Sequence, residues 1–128
     1  KQNNIKLAYS VALVEGGAVL AAKFVGITMG DPAGIGPEIS LKALEYHQEY
    51  QQSTVIYGSY GVLKYYHDAL KMKTPLARID NVGDFKPGCI NVISVEELEV
   101  GKDFEIGQVS AAAGDGAYQY IARAIDDA

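Results

Sequence analysis

A nine-residue segment rich in glycine, Gly30–Glu38, is the part of the sequence best suited to contact a ligand. It reads Gly-Asp-Pro-Ala-Gly-Ile-Gly-Pro-Glu and follows a short apolar run, Phe24 to Thr28. Glycines let a backbone turn sharply and approach a ligand closely, and the N–H groups at the start of a helix attract anions. The spacing matches neither G-x-G-x-x-G nor G-x-x-x-x-G-K-[ST], so neither nucleotide fingerprint applies. The residues alone leave a ligand-binding loop and a plain structural turn as alternatives.

Few other side chains have the type and spacing that catalysis or metal binding needs. The histidines His47 and His67 have no second metal ligand three or four residues away, so we expect surface or helix-cap roles for both. Asp31 is expected to hold the turn by accepting hydrogen bonds from neighbouring backbone amides. Cys89 is the only cysteine, which excludes an intrachain disulfide and argues against a cysteine-based zinc site. We expect it to be a half-buried apolar residue beside a strand.

Apolar runs and helical spacing alternate along the chain and predict an α/β fold with a largely parallel sheet. Four strands are predicted, at Phe24–Thr28, Thr54–Tyr57, Leu76–Ile79 and Ile90–Val95. A helix is predicted after each of the first two strands, and Ser59 is the expected N-cap of the second helix. The glycine-rich segment therefore lies at a junction between a strand and a helix.

The first helix should begin near Pro37, whose fixed φ and missing N–H suit the first helical position. Glu38 lies near the positive end of the helix dipole and can pair with Lys42 one turn later. Three apolar residues of this helix are predicted to share its buried face: Ile39, Ala43 and Leu44.

The last helix has the clearest periodicity in the chain. Seven residues are predicted to share its buried face: Val109, Ala113, Ala117, Tyr120, Ile121, Ala124 and Ile125. Gly114 and Gly116 lie inside this segment, where a glycine costs about 1 kcal/mol relative to alanine. We expect either close packing at these glycines or a frayed first turn.

Length and composition limit the classes of function. A chain of 128 residues supports one compact core, and 16 acidic against 11 basic residues give a net charge of -5. That charge argues against nucleic-acid and membrane partners, and the single cysteine fits a cytoplasmic protein. The stretch Leu7 to Ala22 is apolar, as in a secretion signal, but Glu15 and two glycines interrupt it, and it is too short to span a membrane. Secretion is kept as the minor alternative.

Two segments of the sequence resemble the 4-hydroxythreonine-4-phosphate dehydrogenase family. Ile27–Glu38 resembles the family's N-terminal signature, and its Gly34–Glu38 core also resembles the corresponding turn of isocitrate and isopropylmalate dehydrogenases. Gly107–Gly114 and the residues after it resemble a helix of the same family at a similar distance downstream. The resemblance implies the three-layer α/β fold of isocitrate and isopropylmalate dehydrogenases, with only its N-terminal part present, in residues 24–128. Residues 1–23 are then a leader or an extension.

The resemblance also implies a function for a longer parent enzyme. Family members oxidise a secondary alcohol on a phosphorylated four-carbon acid with NAD or NADP, and the resulting β-keto acid loses carbon dioxide. A divalent metal held by histidines assists, and the enzymes are homodimers. The implied substrate is 4-hydroxythreonine 4-phosphate, in pyridoxine biosynthesis. The alternative is 4-phosphoerythronate or 4-phosphothreonate in sugar-acid catabolism, a branch that the second segment resembles more.

The resemblance places few functional residues in this chain. The family's catalytic acid/base, metal ligands and substrate-phosphate residues lie beyond the matched segments, so no catalytic and no metal residue is assigned here. The chain alone is therefore expected to be inactive. Gly34, Ile35 and Gly36 are expected to line the cofactor side of the cleft. A non-catalytic truncated α/β module that retains a nucleotide loop is the alternative from a different class of protein.

Overall fold

The computed structural model describes residues 5–8, 11–14, 24–95 and 97–127, and a six-stranded sheet lies at its centre. The strands are β1 (Ile5–Ala8), β2 (Val11–Val14), β3 (Phe24–Thr28), β4 (Thr54–Gly58), β5 (Leu76–Ile79) and β6 (Ile90–Ser94). Their order is β1-β2-β3-β4-β6-β5, and the four strands from β3 to β5 run parallel. The predicted α/β fold and its four strands are confirmed.

Two short strands precede the predicted domain. β1 pairs with β2 in the antiparallel sense, and β2 pairs in the same sense with β3. The rest of residues 1–23, predicted to be a leader or an extension, lies outside the described residues. The division of the chain at residue 23 stays a prediction.

Helices cover both faces of the parallel strands. They are α1 (Gly36–Tyr46), α2 (Gln48–Gln51), α3 (Tyr60–Ala69) and α4 (Ala111–Asp127). The crossovers through α1 and α3 advance in the same direction along the sheet, so right-handed connections place both helices on one face, where they contact each other. α4 lies against β3 and β4 on the other face. The result is the expected three-layer arrangement.

Strand β4 is the centre of the core, because all five of its residues are buried. Its neighbours β3 and β6 pair with it along nearly its whole length. A parallel strand covered on both faces needs a continuous apolar run, and Val55, Ile56 and Tyr57 provide one. The helices add Leu41, Leu44 and Leu63 to the same cluster.

A partly buried polar network attaches the end of α4 to β4. The hydroxyl of Tyr57 donates to Oδ2 of Asp127 at 3.0 Å, and Nε of Arg123 donates to both carboxylate oxygens at 3.1 Å. Arg123 also donates from Nη2 to the carbonyl oxygen of Asp80 at 2.8 Å. Burial, and then the Asp127 charge, raise the pKa of Tyr57 well above its usual range. Tyr57 therefore stays a neutral donor.

The predicted buried face of α1 is partly wrong. The helix buries Pro37, Ser40, Leu41 and Leu44, whereas Ile39 is 54% exposed and Ala43 faces solvent. Starting at Pro37, the buried residues are spaced three, one and three positions apart, which places them on one face of the helix. Ile39 lies on a different face. The predicted start near Pro37 is confirmed, since the helix begins at Gly36, and so is the Glu38–Lys42 pair, in which Oε2 and Nζ lie 2.6 Å apart.

The predicted buried face of α4 is also partly wrong. Ala113, Tyr120 and Ala124 are buried as expected, and Gly116 joins them. Three residues of the predicted face are instead exposed: Val109, Ile121 and Ile125. The sheet accepts a narrow row of small residues and one tyrosine, so the large isoleucines point away from it.

Met29 forces the shape of the junction between β3 and α1. A Cβ atom added to Gly36 would lie 2.0 Å from the carbonyl oxygen of Met29, which no side chain tolerates. A Cβ atom on Gly58 would lie 2.5 Å from Sδ of the same methionine. At Gly34 the nearest contact would be the carbonyl oxygen of Asp31 at 3.4 Å, an ordinary distance. Only glycine fits at position 36.

Replacing Gly36 with alanine should therefore destabilise the fold. Helix propensity alone favours alanine by about 1 kcal/mol, but the clash with a backbone oxygen should lower the free energy of unfolding by about 2–4 kcal/mol. Gly34→Ala is the matched control, with an expected change within about 1 kcal/mol. Urea denaturation measures both variants, and an unchanged midpoint for Gly36→Ala would refute the close approach.

Removing the hydroxyl of Tyr57 should weaken the attachment of α4. Tyr57→Phe leaves the mostly buried Asp127 carboxylate without one donor, so the free energy of unfolding should fall by about 1–3 kcal/mol. Tyr50→Phe, at an exposed ring, should change it by less than about 0.5 kcal/mol. Equal effects of the two substitutions in thermal denaturation would argue against the network.

Candidate functional site

The glycine-rich loop makes most of its hydrogen bonds within itself. Gly30 has a φ of 75°, in the left-handed region that favours glycine. The N–H of Ala33 donates to Oδ1 of Asp31 at 2.8 Å, and the N–H of Gly34 donates to the carbonyl oxygen of Asp31 at 2.9 Å. Asp31 thus holds the turn, as predicted.

These bonds leave the loop poorly suited to a phosphate group. The amides of Ala33 and Gly34 are already engaged, and Pro37, in the first turn of α1, has no N–H to offer. Glu38 adds a negative charge in the same turn, paired with Lys42. Hydrogen bonding to Glu38, followed by its charge, raises the pKa of the Lys42 ammonium. The geometry favours contact with an apolar or uncharged part of a ligand.

The two segments that resemble the dehydrogenase family meet in space. The N–H of Gly107 donates to the carbonyl oxygen of Ala33 at 2.7 Å, and Gly107 has a φ of 83°. Ser110 then caps α4, because its Oγ accepts from the N–H of Ala113 at 3.1 Å. The loop after β3 and the start of α4 are therefore one structural unit.

A groove of about 460 Å³ runs beside this unit. Its walls come from the glycine-rich loop, from α1, from α3 and from the segment before α4: Ala33, Gly34, Ile35, Glu38, Tyr65, Tyr66, Ala69, Leu70, Ile106 and Gly107. The side chain of Ile35 is 73% exposed. The rings of Tyr65 and Tyr66 meet edge to face at 5.4 Å, and burial raises the pKa of Tyr66. Among the described residues of the walls, Glu38 is the only charged one.

The three residues predicted to line the cofactor side divide into two kinds. Gly34 and Ile35 line the groove. Gly36 lies against the Met29 carbonyl, where it allows the chain to turn. Their contact with a cofactor stays a prediction.

A polar cluster at the start of α3 was missed by the sequence analysis. Ser59 caps the helix as predicted, accepting from the N–H of Val62 at 3.4 Å, and it also accepts from the N–H of Leu98 at 3.1 Å. The Glu97 carboxylate accepts from the N–H of Gly61 at 3.3 Å and from the hydroxyl of Ser94. The position of Ser94 at the end of a predicted strand was the available signal. The protein's own carboxylate occupies this helix start.

Arg78 completes the cluster, since its Nη1 lies 3.1 Å from Oε2 of Glu97. A hollow of about 610 Å³ opens beside it, with walls that include Tyr65, Glu97 and Lys102. The positive charges of Arg78 and Lys102 lie near the negative charge of Glu97 and offset it. The cluster therefore connects the segment after β6 to α3 and β5.

The histidines have structural surroundings. Nε2 of His67 lies 2.6 Å from the carbonyl oxygen of Thr74, which joins the end of α3 to the following loop. His47 is exposed between α1 and α2, near Glu49, in the expected helix-end position. Among the described residues, no group of three or more histidine, cysteine, aspartate or glutamate side chains is placed to hold a metal ion. Cys89 is half-buried beside β6, as expected.

Across the described parts of the chain, no helix has both the length and the apolar character needed to cross a membrane.

No protein-family model matches the chain. Individual relatives do match. The D-threonate 4-phosphate dehydrogenase of Salmonella typhimurium is 40% identical over 110 residues, which are 84% of this chain and 33% of that protein. The 4-hydroxythreonine-4-phosphate dehydrogenase of Aquifex aeolicus is 35% identical over 106 residues, covering 83% of this chain and 32% of that protein.

Solved structures agree with these relatives. A 4-hydroxythreonine-4-phosphate dehydrogenase from Klebsiella pneumoniae superposes with a TM-score of 0.73 at 33% identity, covering 85% of this chain and 34% of that one. The corresponding enzyme from Burkholderia phymatum gives a TM-score of 0.68 at 35% identity, over 79% of this chain and 31% of that one.

The chain spans about a third of the length of the curated relatives it matches. Sequence and fold agree over that third, and it is the N-terminal part of the relatives. The predicted resemblance is confirmed: this chain is similar in sequence and in fold to the N-terminal part of the 4-hydroxythreonine-4-phosphate and D-threonate 4-phosphate dehydrogenases.

Proposed function

We propose that this chain is the N-terminal part of a longer NAD(P)-dependent dehydrogenase that oxidises, with decarboxylation, a phosphorylated four-carbon hydroxy acid. The observation that carries the proposal is the bond between Gly107 and Ala33, which joins the two family-like segments into one wall of a groove. Relatives named as dehydrogenases match 83–84% of the chain at 35–40% identity. We take this wall to be one side of an active-site cleft, because its residues do not make up a complete active site.

Two substrates fit the names of the relatives. The first is 4-hydroxythreonine 4-phosphate, in pyridoxine biosynthesis, for which the Aquifex aeolicus relative is named. The second is 4-phosphothreonate or 4-phosphoerythronate, in sugar-acid catabolism, and the Salmonella typhimurium relative named for D-threonate 4-phosphate supports it at 40% identity. Both are four-carbon acids with a terminal phosphate. Because the amides of Ala33 and Gly34 are engaged and Pro37 has no N–H, we propose that the substrate phosphate binds elsewhere in the longer protein.

The contribution of this chain to the reaction is to shape the cleft. Ile35, exposed at the groove, would contact the uncharged part of NAD or NADP and exclude water from it. Gly36 lets the loop stay close to β3, and Asp31 keeps the turn in one conformation. The described residues do not fit a metal site. We therefore assign the divalent metal ligands and the acid/base residues to the rest of a homodimeric parent and derive no step through the metal.

An assay of the longer protein that contains this chain tests the function. Purified protein is incubated with each phosphorylated acid and with NAD or NADP, and formation of the reduced nucleotide is followed by absorbance, with and without a chelator. We expect turnover of one substrate class and its loss in chelator. Nucleotide binding without turnover of any of these acids would support the non-catalytic α/β module instead.

A charge placed at Ile35 should weaken nucleotide binding in the same protein. Ile35→Glu puts a charged carboxylate against the uncharged part of the nucleotide that Ile35 is proposed to contact, so the KM for the nucleotide should rise about tenfold, equivalent to about 1.4 kcal/mol. Ile39→Glu, at the next exposed isoleucine, which lies in the first turns of α1, is the matched control. Steady-state kinetics measures both variants. An unchanged KM in Ile35→Glu would remove Ile35 from the cofactor side.

A further inference from the structure

The outward face of α4 carries an apolar row that the described residues leave open to solvent. Tyr118, Ile121 and Ile125 are 67%, 45% and 59% exposed. Their spacing of three and four residues places them in line along about two turns of the helix, a length of about 10 Å. We call these three residues the outer stripe. Single exposed apolar residues are common, but a continuous row on one helix is typical of an interaction surface.

The opposite face of α4 is already buried. Ala113, Gly116, Tyr120 and Ala124 pack toward the sheet, and Asp127 bonds to Tyr57. The helix is therefore apolar both toward the sheet and away from it. A helix that is apolar around most of its circumference is one that is covered on two sides.

Gly114 provides a second, independent observation on the same row. It precedes Tyr118 by one turn, and a Cβ atom added to it would meet no atom within 4 Å. Gly116, by contrast, is required by close packing, because its Cβ would lie 3.0 Å from Cδ1 of Leu98 and 3.1 Å from the Tyr120 hydroxyl. The described fold makes no use of a glycine at 114, although glycine weakens a helix. A glycine there fits a backbone that approaches α4 closely from outside.

We propose that the outer stripe and Gly114 form the surface on which the remaining two thirds of the longer protein packs. This inference rests on the proposed function, because it requires a protein of the relatives' length. The chain covers 33% of the Salmonella typhimurium relative and 34% of the Klebsiella pneumoniae structure, so such a protein has ample further chain. A covalently joined segment has an effective concentration in the millimolar range, which favours it over a second copy as the occupant.

The test compares the 128-residue chain with the longer protein that contains it. The double variant Ile121→Gln/Ile125→Gln is made in both, and Tyr46→Gln, an exposed residue of α1 outside the stripe, is the control. In the 128-residue chain the urea midpoint should stay the same, because both side chains face solvent. In the longer protein the midpoint should fall by about 1 M urea for the double variant and stay unchanged for the control.

The effect of Gly114→Ala on the urea midpoint should have opposite signs in the two proteins. In the 128-residue chain alanine should raise the midpoint through helix propensity, whereas in the longer protein it should lower the midpoint by obstructing the approaching backbone. This reversal is a readout that a general loss of folding would not produce.

Three outcomes would overturn the inference. One is an unchanged midpoint for the double variant in the longer protein. Another is an equal fall in both proteins, which would make the stripe part of this chain's own core. The third is a defined dimer of the 128-residue chain in light scattering that the double variant dissociates while the longer protein is indifferent, since a second copy would then be the occupant. The urea midpoint is measured without any substrate. If the double variant lowers the midpoint of a longer protein that shows no dehydrogenase activity, the inference about the outer stripe stands and only the proposed function is overturned.

Discussion

The position of Met29 is the constraint on which the site depends. Its N–H donates to the carbonyl oxygen of Tyr57 at 3.0 Å and extends the pairing of β3 with β4 by one residue. Its carbonyl leaves no room for a side chain at Gly36, and its own fully buried side chain leaves none at Gly58. The start of α1 is thereby fixed against the sheet, and the loop between them can take only a compact turn.

That compact turn explains what the loop offers a ligand. Within it, Asp31 uses its side chain and its carbonyl to satisfy the amides of Ala33 and Gly34. A loop whose donors are satisfied internally has a defined shape, but it has fewer N–H groups for an anion. The carbonyl oxygen of Ala33 accepts a hydrogen bond from the N–H of Gly107, which brings the start of α4 to the same edge of the sheet. The side chain of Ile35 is left exposed at the groove.

Carboxylates elsewhere in the chain also accept hydrogen bonds from backbone N–H groups of loops and helix starts. Oxygens of Glu45 on α1 accept from the N–H groups of Lys73 and Thr74 at 3.1 and 3.3 Å. Burial acts to raise the pKa of Glu45, but these hydrogen bonds outweigh it, and the net pKa lies below the usual range. Glu97 joins the segment after β6 to α3 in a similar way. Such bonds hold loops that the apolar core does not reach.

The sequence by itself determined the four parallel strands and the starts of α1 and α3. Pro37 and Ser59 mark helix beginnings through their own φ angle and hydroxyl, and continuous apolar runs mark buried strands, because these effects act within a few residues. The dehydrogenase resemblance was equally local, since it rests on two short segments. Tertiary structure decided which helix faces are buried, so Ile39, Ile121 and Ile125 were misplaced. It also decided why Gly36 is obligatory, how Gly107 reaches Ala33 and where Glu97 lies, because each of these depends on atoms brought together from distant parts of the chain.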